Sequence, residues 1–266
     1  TKNFYMFSVK LLTMNFNLYY NMSMLKSIHI TVLVLSGIAY AFYPFNAEDT
    51  NTLGSFGRLQ IETNYAYFKN YDGSSHQDYI LQLTMGITPK VDLAVVFPYS
   101  AFRYPDREDL KGLNDASIFI KHILLEQKDL KLGYKITAVL DTGKKGIDYG
   151  KPVYNANVML EKDIGDSTLN FNAFYTKAAQ VEELRDTYGF YLHAYTNLYK
   201  YLTFGGELKY SIPEERDIKK KDIHILIGAV FHPTDRIDIS LGLHKSLNSD
   251  KSFSNYGLLA GLLMKF

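Results

Sequence analysis

The chain has no cysteine, no tryptophan and only 7 prolines among its 266 residues. Without cysteine there can be no disulfide scaffold, no thiolate zinc or iron–sulfur site and no thiol nucleophile. Charge of one sign is also missing: 29 Lys and Arg face 28 Asp and Glu, a net charge of +1. A nucleic-acid binder normally presents clustered cations to phosphate, so that class is excluded, nucleic-acid partners included. With 21% charged residues and so little proline, the composition is not that of a disordered chain. Mean hydropathy is −0.14, which by itself reads as an ordinary soluble protein. What is present in excess is aromatic: 22 Tyr and 17 Phe.

The N-terminal region reads as an export signal. Residues 1–23 are set aside as an upstream extension. From Met24, Lys26 supplies a positive start and residues 30–46 carry no formal charge, with Ile30-Thr31-Val32-Leu33-Val34-Leu35 at the centre. Ala39-Tyr40-Ala41 then gives the small-x-small pattern of a signal-peptidase site, and Phe45-Asn46-Ala47 offers a later cut. The spacing predicts a signal peptide over 24–41, with cleavage as late as 47. The run is short for a membrane anchor, and Pro44 interrupts its end.

Beyond Asp49 the period changes to two. Apolar side chains alternate with polar ones in twelve segments: 56–69, 77–88, 90–100, 115–126, 129–141, 153–163, 167–177, 186–198, 201–211, 222–232, 235–246 and 255–266. This is the strand period, and no stretch offers a helix. In the first segment Leu59, Ile61, Tyr65 and Tyr67 share one face while Arg58, Gln60, Glu62 and Asn64 share the other. Short turns alternate with longer polar loops at 70–76, 101–114, 142–152, 178–185, 212–221 and 247–254. An up-and-down antiparallel β-barrel of about 12 strands over residues 50–266 follows, with short turns on one rim and longer loops on the other.

Alternation alone does not say which face points inward. Tyr and Phe crowd the ends of the apolar face, as interfacial girdles require, and the segments match the length of a tilted membrane-crossing strand. A soluble barrel of twelve strands would have a lumen that side chains fill poorly. The apolar face is therefore assigned to lipid, which makes the chain a transmembrane barrel with periplasmic turns and extracellular loops, in contact with outer-membrane lipid and lipopolysaccharide. Phe266 ends the chain on the face that carries Tyr256, a pattern that looks like the recognition signal of the barrel assembly machinery.

Several stretches resemble the outer-membrane family of phenol meta-pathway (MetA) degradation proteins, whose members are described as transporters. They include Asn51-Thr52-Leu53-Gly54, the run from Gly86 through Pro89, Asp92 and Pro98 to Tyr99, Leu113-Asn114-Asp115, the run from Tyr201 to Leu208, and Asn255-Tyr256-Gly257-Leu258. The resemblance implies an outer-membrane barrel with an uptake role. It brings no catalytic motif and no substrate.

By parity, Arg58, Glu62, Asp92, Asp115, Lys121, Lys135, Glu161, His193, Glu207, Lys209, His224 and Asp238 face the lumen. Such charges must pair or stay hydrated. They can line a water-filled path for a small-molecule solute, or pair across strands and close it. Phe68, Phe119, Phe174, Tyr191 and Tyr195 also face inward, either as a track for hydrophobic or aromatic solutes or as filling. His193, Glu207 and His224 are the best available acid–base or metal trio, and would serve a lipid- or lipopolysaccharide-modifying enzyme. Lumen hydrogen bonding is the plainer reading of them, so no catalytic residue, metal or cofactor is assigned. The reading is a passive channel of the cell outer membrane rather than an enzyme, with a closed structural barrel as the further alternative.

Overall fold

The computed structural model describes residues 44–106, 108–147, 150–177, 185–213, 218, 220–248 and 254–266. The expected upstream extension and signal peptide lie outside the described residues. The chain forms β1 (Leu59–Asn70), β2 (Ser75–Thr88), β3 (Val91–Arg103), β4 (Leu110–Leu113), β5 (Ser117–Glu126), β6 (Leu130–Val139), β7 (Val153–Ile164), β8 (Ser167–Lys177), β9 (Thr187–Tyr199), β10 (Leu202–Ser211), β11 (Asp222–Thr234), β12 (Ile237–Ser246) and β13 (Ser254–Lys265).

All pairings are antiparallel between neighbours in one 13-stranded sheet. β1 pairs with β2 on one edge and with β13 on the other, which closes a twelve-position barrel. At the seam Leu59 and Phe266 exchange backbone hydrogen bonds of 3.3 and 2.8 Å. Closure satisfies the ladder everywhere, as a sheet in lipid must.

Burial is inverted relative to a soluble protein. Leu81, Leu83, Ile136, Val158, Phe171, Leu241 and Leu258 are exposed, while Glu62, Asn64, Gln82, Lys135, Asn172 and Glu207 are buried. Exposed Tyr79, Tyr99, Tyr154, Tyr175, Tyr188 and Tyr256 ring the wall toward the loop end, and Tyr199, Tyr201 and Phe231 lie toward the turn end. Within these belts Tyr79 touches Tyr65 at 5.1 Å, and Tyr201 stacks on Tyr199 at 5.9 Å. Part of the aromatic excess thus lies at the two rims.

Two features depart from the periodic reading. The first long loop shrinks to residues 71–74, because β2 begins at Ser75. The segment 101–114, read as a loop, instead extends β3 to Arg103 and contributes β4. β3 pairs with β5 up to Val96–Ser117 and with β4 from Tyr99–Leu113, so β4 and β5 share one wall position broken at 114–116. Pro98 sits at the switch, where it has no ladder hydrogen to donate, and its carbonyl accepts from the Asn114 N–H at 2.9 Å.

Candidate functional site: a lumen plugged by residues 44–53

The lumen is occupied by the segment that leads into β1. Pro44 and Phe45 lie deepest, on a trough of three glycines aligned across β10, β11 and β12: Gly205 faces Gly228, which faces Gly242. A Cβ on Gly228 would come within 2.6 Å of Pro44, one on Gly242 within 2.7 Å, and one on Gly205 within 3.0 Å of Phe45. The trough exists because these positions have no side chain. Phe45 packs its ring 4.1 Å from that of His193 and joins Ala66, Phe68, Leu226 and Leu259 in an apolar cluster.

Below Phe45 every step is polar. The Glu207 carboxylate accepts from the backbone N–H of Asn46 and of Ala47, both at 2.6 Å, and from the Asn46 amide at 2.7 Å. Asn172 accepts from the Glu48 N–H, while the side chains of Asn170 and Asn172 donate to the Glu48 carbonyl. The Glu48 carboxylate takes a short, fully buried ion pair from Lys135. Asp49 pairs with Lys121 at 2.9 Å, and Thr50 donates to Glu161 at 3.4 Å. Leu53 donates to Asp92, and Arg58, exposed at the rim, returns a bond to the Leu53 carbonyl. Gly86 lets the chain leave, since a Cβ there would meet the Ser55 carbonyl at 2.2 Å.

Two adjacent plug carboxyls titrate in opposite directions. Burial pushes Glu48 up, against the pull of Lys135. Burial acts on Asp49 too, but Lys121 outweighs it, helped by the Asn51 N–H and Lys131, and holds Asp49 below the usual carboxylate range. Each carboxyl meets two cations, but Glu48 is also repelled by Asp49, whereas Asp49 gains the Asn51 N–H as a further donor.

The parity-derived residues divide by what holds them. Asp92, Lys121, Lys135, Glu161, Glu207 and Arg58 grip the plug, and His193 supports Phe45. Lys209 pairs instead with Asp222 at 2.7 Å, and His224 faces Asp222 at 3.6 Å with its ring 4.4 Å from that of His244. Asp238 takes Lys265 at 3.0 Å and His232 at 2.6 Å. Asp115 sits at the break before β5, where it accepts from the N–H groups of Thr142 and Gly143. Among the described residues Glu62 receives hydrogen bonds from neutral amides alone. His193, Glu207 and His224 form no common centre: both Glu207 oxygens serve the plug, and His224 turns toward Asp222. Among the described residues no three His, Asp or Glu are arranged to hold a metal.

The plug does not fill the lumen evenly. Its hydrogen bonds and ion pairs to strand side chains lie on β3, β5–β8 and β10, and a cavity of about 320 Å³ remains on the β1, β2, β12 and β13 side, bordered by Glu62, Gln82, Thr84, Asp238 and Lys265. Toward the loop end the same side narrows to stacked rings, His76 against Phe68 at 4.8 Å and against Phe102 at 5.7 Å, with His244 at 5.3 Å from Phe68.

No family model and no curated protein sequence matches the chain. Solved structures do match it. The COG4313 outer membrane channel from Pseudomonas putida F1 superposes with a TM-score of 0.68 at 14% identity, covering 82% of this chain and 98% of that one. The fold is that of an outer-membrane β-barrel. The KdgM porin aligns with a TM-score of 0.54 at 9% identity over 78% of this chain and 99% of its own. At such identities the likeness is one of fold. The resemblance of short stretches to the phenol meta-pathway proteins has no matching family model beside it.

The residues that sequence reading missed are Pro44 to Thr50. They have no period, and their partners lie far along the chain: Glu207 is 161 residues from Asn46. One signal was available, an aligned glycine on three successive strands, but it becomes visible only once the register is known.

Proposed function

We propose that this protein is a gated channel of the outer membrane, passing small solutes along the side of the lumen that the plug leaves open. The observation that carries the reading is the way the plug is held. It is gripped by hydrogen bonds and ion pairs on one side of the wall and borders a cavity on the other, whereas a purely structural barrel needs no such stopper. The outward apolar face and aromatic belts support a place in the outer membrane, with lipid and lipopolysaccharide as neighbours. The exposed Phe266 at the end of β13 supports recognition by the barrel assembly machinery. The stacked Phe68, His76 and Phe102 rings above the cavity support a preference for aromatic or other hydrophobic solutes, since ring faces attract ring faces. No step of covalent chemistry is assigned to any residue.

Single-channel recording in planar bilayers tests this. The intact chain is expected to conduct weakly, and a chain lacking residues 44–53 to conduct much more. Silence of both forms across a range of salt concentrations would count against a channel.

A further inference from the structure

The cavity beside the plug contains one carboxylate that, among the described residues, bonds no cation: Lys135, committed to Glu48, attracts it only from a distance. Glu62 is 2% exposed. Its oxygens accept from the amides of Gln82 at 3.1 Å, Asn64 at 3.2 Å and Gln60 at 3.4 Å, all neutral. Every cation in the same cavity wall is engaged elsewhere: Lys121 by Asp49, Lys265 by Asp238 and Arg58 by the Leu53 carbonyl. The amides that serve Glu62 carry an unmet demand of their own. Asn64 Oδ1 and Gln82 Oε1 are buried and have no donor among the described residues. Gln82 also donates to Thr84 at 3.0 Å, which adds a hydroxyl oxygen to the group.

Glu62, these amides and the Thr84 hydroxyl make an oxygen-rich group with two orphaned acceptors, open to the 320 Å³ cavity, whose other carboxylates Asp49, Asp92 and Asp238 are already engaged. A second void of about 10 Å³ touches Glu62, Asn64, Ser240 and Asp238, the last already paired with Lys265 and His232. That volume suits an occupant no larger than a water molecule. A buried carboxylate without a counter-ion is costly, and acceptor oxygens left unmet add to the cost. A small positive occupant answers both demands at once. The set holds no imidazole and only one carboxylate, so it suits a weakly bound hard cation rather than a transition metal.

We infer that Glu62, with Asn64, Gln82 and Thr84, forms a binding site for a compact monovalent cation, an alkali ion or a primary ammonium head, in the open side of the lumen. The site makes the residual path selective for cations. This selectivity rests on the channel reading; occupancy of the site does not.

Two measurements keep those apart. In bilayers under a salt gradient, the intact protein is expected to favour K⁺ over Cl⁻, and Glu62→Gln to lower that permeability ratio roughly threefold or more, as loss of one fixed pore charge should. An unchanged ratio in a Glu62→Gln barrel that still shows the faster gel migration of folded, unheated protein would overturn the proposal. Crystals soaked in rubidium salt provide the second measurement. An anomalous peak beside Glu62, absent in Glu62→Gln, supports the site even if the barrel proves silent, and no peak in the intact protein rejects it. Competition by methylammonium separates the two sources: displacement of rubidium extends the site to ammonium heads, and its failure assigns the site to alkali ions.

Discussion

Glu207 holds the backbone of Asn46 at 2.6 Å, a contact between a strand in the second half of the barrel and a segment that precedes the first strand. The same carboxylate also takes the Ala47 N–H and the Asn46 side chain. Charge-assisted bonds of this kind are individually strong, and here three converge on one residue. Glu207→Gln keeps the shape but loses the charge and one acceptor. It is expected to weaken plug docking by about 1.5–3 kcal/mol. Single-channel conductance should rise, while thermal unfolding of the barrel, which depends on the ladder, should move little.

The glycine trough predicts a steric effect. In Gly228→Val even the first added carbon would fall 2.6 Å from Pro44. The plug tip should leave its seat, and backbone amides of residues 45–48 should exchange hydrogen far faster than in the intact protein. Gly206→Ala is the control: its Cβ would meet nothing nearer than 3.7 Å, so exchange there should be unchanged.

Lys135 and Glu48 form the buried ion pair of the site. Removing one partner of such a pair strands the other charge, at a cost of about 3–5 kcal/mol, whereas removing both is much milder. Lys135→Met should therefore open the channel or lower its thermal stability, and Lys135→Met with Glu48→Gln should recover most of the loss. A double-mutant cycle on conductance and unfolding temperature measures the coupling. Additive effects would show that the pair is not coupled.

The plug also yields a prediction about the two cleavage sites expected from the sequence. Pro44, Phe45, Asn46 and Ala47 all make contacts inside the barrel, so a cut after Ala47 would remove the glycine-seated tip and two of the donors to Glu207. Cleavage after Ala41 keeps them. Intact mass and N-terminal sequencing of protein purified from outer membranes should find Phe42 first; a chain starting at Glu48 would refute this.

The strands were legible in the sequence because each alternates on its own. Tyr79, Leu81, Leu83 and Met85 need no distant partner to announce a face, and the register carries that face outward. β4 was not legible: Leu110-Lys111-Gly112-Leu113 is only 4 residues long, follows a polar stretch with Pro105, and pairs with β3 only beyond Pro98. Parity placed Lys121, Lys135, Glu161 and Glu207 inside but could not name their partners. It weighed pairing across strands against hydration, whereas the structure supplies a third answer, the chain's own leading segment. Glu48 and Asp49 lie in a stretch with no periodic pattern, so nothing local marked them as the missing counter-charges.

That arrangement also sets an order of events. Asn46, Ala47 and Glu48 precede every strand, yet their partners at Lys135, Asn172 and Glu207 lie 87 to 161 residues downstream. Contacts so distant in sequence form only after the intervening chain is in place. The plug residues are therefore expected to settle late, once the strands that form their seat have closed into a cylinder.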